Sequence, residues 1–211
     1  MIITNSNTAT VTGRLVGQIV EDHVILGETF YNTQLEVPRL SGTKDTLHLT
    51  IPGRLLKTLN PAILAGPITV SGQVRSYNKV YDGQGHLVVT LFANSITPSA
   101  GDSTQNSIRL DGAICKPTTY RITPFGREIC DIMLAVNRSF GKSDYIPCIV
   151  WGRNAKWASG MEVGDHISVS GRLQSRQYEK LTDDGEYITR TAYELSIYSI
   201  ERLENEGRAG A

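Results

Sequence analysis

The sequence predicts an all-β protein built from two small closed barrels in tandem, each of five strands with one short helix. Two observations predict it: the chain repeats itself, and each copy alternates as strands do. At a constant offset of 99 residues, Gly13 returns as Gly112 and Gly53-Arg54 as Gly152-Arg153. In the same register, Leu35-Glu36-Val37-Pro38-Arg39 returns as Leu134-Ala135-Val136-Asn137-Arg138, and Ile68-Thr69-Val70-Ser71-Gly72 as Ile167-Ser168-Val169-Ser170-Gly171. Four blocks in one register mean two copies of a domain of roughly 100 residues, long enough to bury its own core and too long for a solenoid repeat. The expected division is a first domain over 1–98, a linker over 99–105, a second domain over 106–204 and a short tail over 205–211. Pro98-Ser99-Ala100-Gly101-Asp102-Ser103-Thr104-Gln105 has the small, polar composition of a linker.

The elements follow in order. In the second copy Cys130, Ile132, Leu134 and Val136 share one parity, and Asp131, Met133, Ala135 and Asn137 the other. Ile146, Cys148 and Val150 form a second inward set, opposite Tyr145, Pro147, Ile149 and Trp151. Ile167, Val169, Gly171 and Leu173 form a third, with Ser168, Ser170, Arg172 and Gln174 facing out. The turn at Asp183-Asp184-Gly185 leads into a fourth run over Tyr187 to Ser196, as Asp82-Gly83 does in the first copy. One short helix is expected near Asn154 to Ser159, matched by Leu55 to Leu59, with Trp157 as a plug in the barrel end. Internal glycines such as Gly171 suit strands that coil sharply, as in a small closed barrel.

Composition excludes several classes. The 211 residues are 40% hydrophobic, and 21 basic residues balance 21 acidic ones. No apolar run approaches the ~20 residues of a membrane span. Met1-Ile2-Ile3-Thr4-Asn5 is no signal peptide, so a cytoplasmic protein without membrane contact is expected. Three cysteines (Cys115, Cys130, Cys148) without C-x-x-C spacing argue against a disulfide framework or a zinc site and for structural thiols. The four histidines are scattered, and no cofactor or metal is expected. Gly141-Lys142-Ser143 is no phosphate-binding loop, because Val136 stands where that motif needs glycine. No nucleophile–base set or carboxylate pair has informative spacing, so the chain does not read as an enzyme.

The outward positions of the second copy carry the functional signal. Tyr145 and Trp151 share parity six residues apart, on one face roughly 20 Å long. Tyr178 shares parity with Arg172, Gln174 and Arg176, and Phe140 stands in a turn between Arg138 and Lys142. Between Asn137 and Lys180 seven basic residues face four acidic ones, a local basic surface in a neutral chain. Aromatic rings interleaved with cations are what unpaired nucleic acid requires, since bases stack on rings while Arg and Lys follow phosphates.

These residues resemble those of bacterial single-stranded DNA-binding proteins. Leu134-Ala135-Val136-Asn137-Arg138, Ile146-Pro147-Cys148-Ile149-Val150-Trp151 and Gly171-Arg172-Leu173-Gln174-Ser175-Arg176-Gln177-Tyr178 are similar to three family motifs in order and spacing. The resemblance covers nearly all of the second copy and reaches the first through the repeat. It implies OB-fold barrels and stacking of bases on Phe140, Tyr145, Trp151 and Tyr178. It further implies phosphate contacts from Arg153 and Arg176, with Arg138, Lys142 and Arg172 as lesser candidates. It implies sequence-independent binding of single-stranded DNA in replication, recombination or repair, by a homodimer carrying four barrels. The family's acidic C-terminal tip is missing from Gly210-Ala211, so recruitment of partners through it is not expected. The first copy has Ser41, Thr46, Pro52 and Arg75-Ser76-Tyr77 where the second has Phe140, Tyr145, Trp151 and Gln174-Ser175-Arg176. With Tyr77 and Tyr81 as the only aromatics near its hairpin, it is expected to bind weakly and to serve assembly. Two alternatives stand beside this reading: an OB-fold adaptor of a replication or primosome complex with little affinity for naked DNA, and an RNA binder.

Overall fold

The computed structural model describes residues 7–81, 83–99, 104–182 and 184–203. Strands β1 (Asn7–Ile25), β2 (Glu28–Pro38) and β3 (Lys44–Pro52) lead into short helices α1 (Gly53–Thr58) and α2 (Pro61–Leu64), then into the long hairpin β4 (Pro67–Tyr81) and β5 (Gln84–Pro98). Pairing runs β1–β2–β3–β5–β4 and back to β1, which closes the first barrel, with β3–β5 as the parallel contact. The second copy comprises β6 (Asn106–Ile114), β7 (Thr119–Ile122), β8 (Glu128–Asn137), a 3-10 turn (Ser139–Gly141) and β9 (Ser143–Trp151). Helix α3 (Arg153–Ala158) and the hairpin β10 (His166–Leu181) and β11 (Tyr187–Arg202) complete it. It closes in the same order through β6–β8, β8–β9, parallel β9–β11, β11–β10 and β10–β6.

The alternation read from the sequence sets the core. Leu35, Leu47, Leu49, Ile51 and Leu91 fill the first barrel, and Leu134, Ile146, Val150, Ile167 and Leu195 the second, all fully buried. Cys130 and Cys148 are buried among them, Cys115 is half-buried, and all three are free thiols. Burial in apolar surroundings pushes the Cys148 thiol far up, so it packs as an inert small hydrophobe.

Three details differ from expectation. The strand that runs unbroken as β1 is split into β6 and β7 in the second copy. Pro117 lacks the amide hydrogen that a paired strand needs, whereas Gly17, at φ 82°, lets β1 bulge and continue. The first copy has a second short helix, α2, started by Pro61 with the Asn60 side chain accepting from the Ala62 N–H. Trp157 does not plug the barrel. Helix α3 is one and a half turns long and buries Ala155 and Ala158, three apart, so Trp157 points away and is 48% exposed.

Gly72 and Gly171 mark where each long strand folds across the barrel. Both sit at register shifts, Ser71/Gly72 against β5 and Ser170/Gly171 against β11. A Cβ on Gly72 would run into the Phe92 carbonyl, and one on Gly171 into that of Ser196.

The two barrels are joined by strand β1 lying antiparallel to β6, from Asn7 opposite Leu110 to Val11 opposite Asn106. Ala9 faces Ile108, its own counterpart in the repeat, so a pseudo-twofold axis passes between them and eleven strands form one continuous sheet. The hydrogen bonds obey that axis. Asn7 donates to the Val74 carbonyl (2.8 Å) and accepts from the Val74 N–H (2.9 Å), and Asn106 does the same with Leu173 (2.8 and 2.9 Å). The buried Asp45 carboxylate accepts from Arg39 Nε (2.7 Å) and from the Ser175 N–H (2.7 Å) of the other barrel. Its counterpart Asp144 accepts from Arg138 Nη2 (2.8 Å) and the Ser76 N–H. Each arginine also donates across the seam, Arg39 to the Ser175 carbonyl (3.0 Å) and Arg138 to that of Ser76 (3.2 Å). Burial pushes the Asp144 carboxyl above the usual range, and the Ser76 N–H, Arg138 and Arg75 pull it part of the way back. No helix among the described residues is long and apolar enough to cross a membrane.

Candidate nucleic-acid interface

Outward side chains of β8, β9, β10 and β11 make one concave face on the second barrel. Trp151 stands at the end of β9, opposite Ile129, and its indole N–H donates to Ser196 Oγ on β11 (3.1 Å). That bond fixes the ring while leaving it 36% exposed. Arg172 and Gln174 alternate along β10, with the Arg172 guanidinium donating to Gln174 Oε1 (3.3 Å). The Arg176 guanidinium sits over the Tyr178 ring, 5.7 Å from its centre, and Nε lies 3.5 Å from Glu194. A groove of about 720 Å³ runs along this face, lined by Trp151, Arg172, Gln174 and Arg176.

The remaining sequence-predicted residues fall into three places. Tyr145 is 48% exposed on β9, and its backbone N–H bonds Ser76 Oγ (2.7 Å), which sets it beside the seam. Arg153 stands exposed at the first turn of α3. Arg138 is drawn into the seam by Asp144 and the Ser76 carbonyl. With Lys142 it lines a second groove, also about 720 Å³, that straddles the seam and takes Gln73 and Arg75 from the first barrel. The backbone of Phe140 lies in the 3-10 turn, while its side chain and that of Tyr81 lie outside the described residues.

Several groove residues escaped the sequence reading. The β7–β8 hairpin adds Arg121, Arg127 and Phe125, whose ring is 91% exposed at the turn. Arg121 is held by Asp131 (2.7 Å), so it reaches the groove from a fixed position. Their signal was available, because Tyr120-Arg121 and Phe125-Gly126-Arg127 repeat the interleaving of rings and cations. Arg39 enters the same groove from the first barrel, which only the packing of the two copies reveals.

The first barrel's face is not bare. Phe30 on β2 and Phe92 on β5 lie with ring centres 5.9 Å apart, His23 on β1 stacks on Phe30 (4.9 Å, 17°), and the Arg75 guanidinium lies 5.5 Å from the Phe92 centre. These rings occupy positions where the second barrel has Ile129, Ser196 and Arg121, so comparison of equivalent positions hid them.

Two closed five-stranded barrels, each with a helix between the third and fourth strands of the barrel, define a tandem OB-fold protein. The model of the single-strand binding protein family matches residues 105–203. The single-stranded DNA-binding protein of Clostridium tetani is 36% identical over 113 residues, which cover 50% of this chain and 78% of that protein. That of Oceanobacillus iheyensis is 31% identical over 112 residues, 50% of this chain and 67% of its own. Single-stranded DNA-binding protein A of Bacillus subtilis is 32% identical over 113 residues, 50% of this chain and 63% of its own. The chain belongs to the single-strand binding protein family. Its fold is also that of the wild-type single-stranded DNA binding protein from Thermus aquaticus, with a TM-score of 0.74 at 22% identity over 98% of this chain and 97% of that one.

Proposed function

We propose that this chain binds single-stranded DNA without sequence preference, in replication, recombination or repair, and that it acts by holding the strand rather than by catalysis. The observation that carries the reading is the second barrel's groove, where Trp151 is anchored but open and Arg172 and Arg176 flank it. Bases stack on Trp151 and Tyr178, while Arg172, Arg176 and Arg153 follow the phosphates. Tyr145 extends the stacking path toward the seam, with Lys142 beyond, and Phe140 is a further stacking candidate on the family resemblance alone. Duplex DNA offers no free base faces to such a surface. A homodimer would place four barrels in one assembly, checked by sedimentation equilibrium.

The test is tryptophan fluorescence during titration with an oligo-dT of ~30 nucleotides, against a duplex of equal length. Stacking on Trp151 quenches it, and Trp151→Ala removes the quench and about 1–3 kcal/mol of affinity. The exposed Trp157 remains as a background signal. Absence of both quenching and binding at low salt refutes the reading and favours an adaptor without affinity for naked DNA.

A further inference from the structure

We propose that the first barrel carries its own single-strand subsite, built from a relocated aromatic stack and completed by cations of the second barrel. It rests on the reading above that the occupant is single-stranded DNA. The positions equivalent to Tyr145, Trp151 and Tyr178 hold Thr46, Pro52 and Lys79, so the stacking positions of the second barrel are empty of rings here. The face has instead gained rings on neighbouring strands. His23, Phe30 and Phe92 form a contiguous run, and Arg75 closes its end over Phe92.

Three features make this run a platform rather than filler. It lies on the outward side of the barrel: Phe92 faces Gln73 across β4–β5, and Phe30 faces Pro52 across β2–β3, while Val74, Leu91 and Ile51 point into the core. Its end ring is half open: the His23 side chain is 44% exposed, stacked on Phe30 on one face and held at the ring edge by the Asp22 carboxylate (2.6 Å). It also adjoins a cationic groove of about 720 Å³ lined by Arg75 together with Arg138 and Lys142 from the other barrel. Arg75 is itself part of that groove's lining, its guanidinium donating to Gln73 Oε1 and lying 3.8 Å from Asp144. A strand that runs from His23 along Phe30 and Phe92 meets Arg75 at the end of the run, and Lys142 of the second barrel lines the groove beyond it. The arrangement mirrors the second barrel, whose groove takes Arg39 from the first. One strand leaving either groove meets a cation that belongs to the other barrel.

The experiment uses the full chain and oligo-dT of ~40 nucleotides carrying 5-iododeoxyuridine. Photo-cross-linked peptides are mapped, and the number of nucleotides occluded per chain is read from the stoichiometric quench of Trp151. Cross-links are expected at His23, Phe30 or Phe92 in addition to those in the second barrel. The double variant His23→Ala/Arg75→Gln is expected to lose them and to occlude at least ~4 fewer nucleotides, the lower bound for one OB fold. His23 is exposed, and Arg75→Gln installs the residue that stands at the equivalent position, Gln174, so the fold is retained; an unchanged melting temperature checks this. Normal quenching of Trp151 with no cross-links to the first barrel and an unchanged site size overturns this proposal and leaves the second barrel's role intact. Cross-links at His23 or Phe92 without any quenching of Trp151 support this proposal and overturn the other.

Discussion

Replacing Asp45 by alanine is expected to cost about 3–5 kcal/mol of stability, because it breaks a buried ion pair from one side. Asp45 is fully buried, and its carboxylate accepts from Arg39 Nε and the Ser175 N–H, each at 2.7 Å. Alanine abandons both donors. The Ser175 N–H is left without its acceptor, at about 1–3 kcal/mol. The Arg39 side chain, only 22% exposed, is left with the Ser175 carbonyl alone and little access to water, which supplies the rest. For a chain of this length each kcal/mol moves the melting temperature by about 2–4 °C, so a drop of roughly 6–20 °C is expected. The assay is urea unfolding and calorimetry of Asp45→Ala, Arg39→Ala and the double variant. The double variant should be less damaged than the sum of the singles by at least about 1 kcal/mol, since contacting residues couple. A loss below about 1 kcal/mol with an additive cycle would refute the claim that this reciprocal pair ties the barrels together.

The other expectations concern the seam's histidine, the strand bends and the groove's cations. Burial, aided by Lys79, holds the His48 imidazole below its ordinary pKa, with its ring against Tyr193 at 4.5 Å. The unfolded chain therefore takes up this proton first: stability is full above about pH 6.5 and falls as pH drops through the lower folded value. Melting temperatures between pH 7.5 and 5 should fall more steeply in the native chain than in His48→Phe, and equal slopes would exclude His48 as the cause. Gly171→Ala is expected to cost at least about 2 kcal/mol through collision with the Ser196 carbonyl. Gly160→Ala, whose Cβ would meet nothing nearer than the Trp157 carbonyl at 3.6 Å, should be nearly neutral in the same melts. Arg176→Ala should lower the slope of log affinity against log salt by about 0.7, one released counterion on a single strand. Arg138→Ala should instead unfold the protein earlier, because its guanidinium holds the buried Asp144 carboxylate.

Much of the fold was legible because strand parity and an internal repeat both report on burial. Cys130 to Val136 and Ile146 to Val150 were assigned to the core by alternation alone, and the glycines at the strand bends by their place in the repeat. The failures share a different cause. The sequence makes Trp157 a plug in the barrel end because it lies in the small helix, yet that helix buries two positions and alanines hold them. The tie of Arg138 to the seam was not legible, because its partner Asp144, six residues on, becomes a buried acceptor only when the second barrel's strand meets Ser76. The rings of the first barrel were overlooked because they were sought at equivalent positions. Arg39 could not be read at all, since its place in the second groove depends on how the copies pack.

The pseudo-twofold axis explains why likeness and difference are distributed as they are. At the seam the buried ion pair is made twice, Arg39–Asp45–Ser175 and Arg138–Asp144–Ser76, and each of these residues is constrained by a partner in the other copy. A change there strands a buried donor or acceptor, so the two copies keep the same residues. Outward positions carry no such partner: Trp151 can stand where Pro52 does, and Phe92 where Ser196 does, without disturbing either core. The two faces are thus free to differ while the frame holds them at a fixed spacing, and the grooves remain linked because each takes an arginine from the opposite barrel. Loss of the seam should therefore weaken single-strand binding as well as stability. Asp45→Ala, measured at a temperature where it remains folded, should bind oligo-dT less tightly than the native chain, and equal affinity would show that the barrels grip the strand independently.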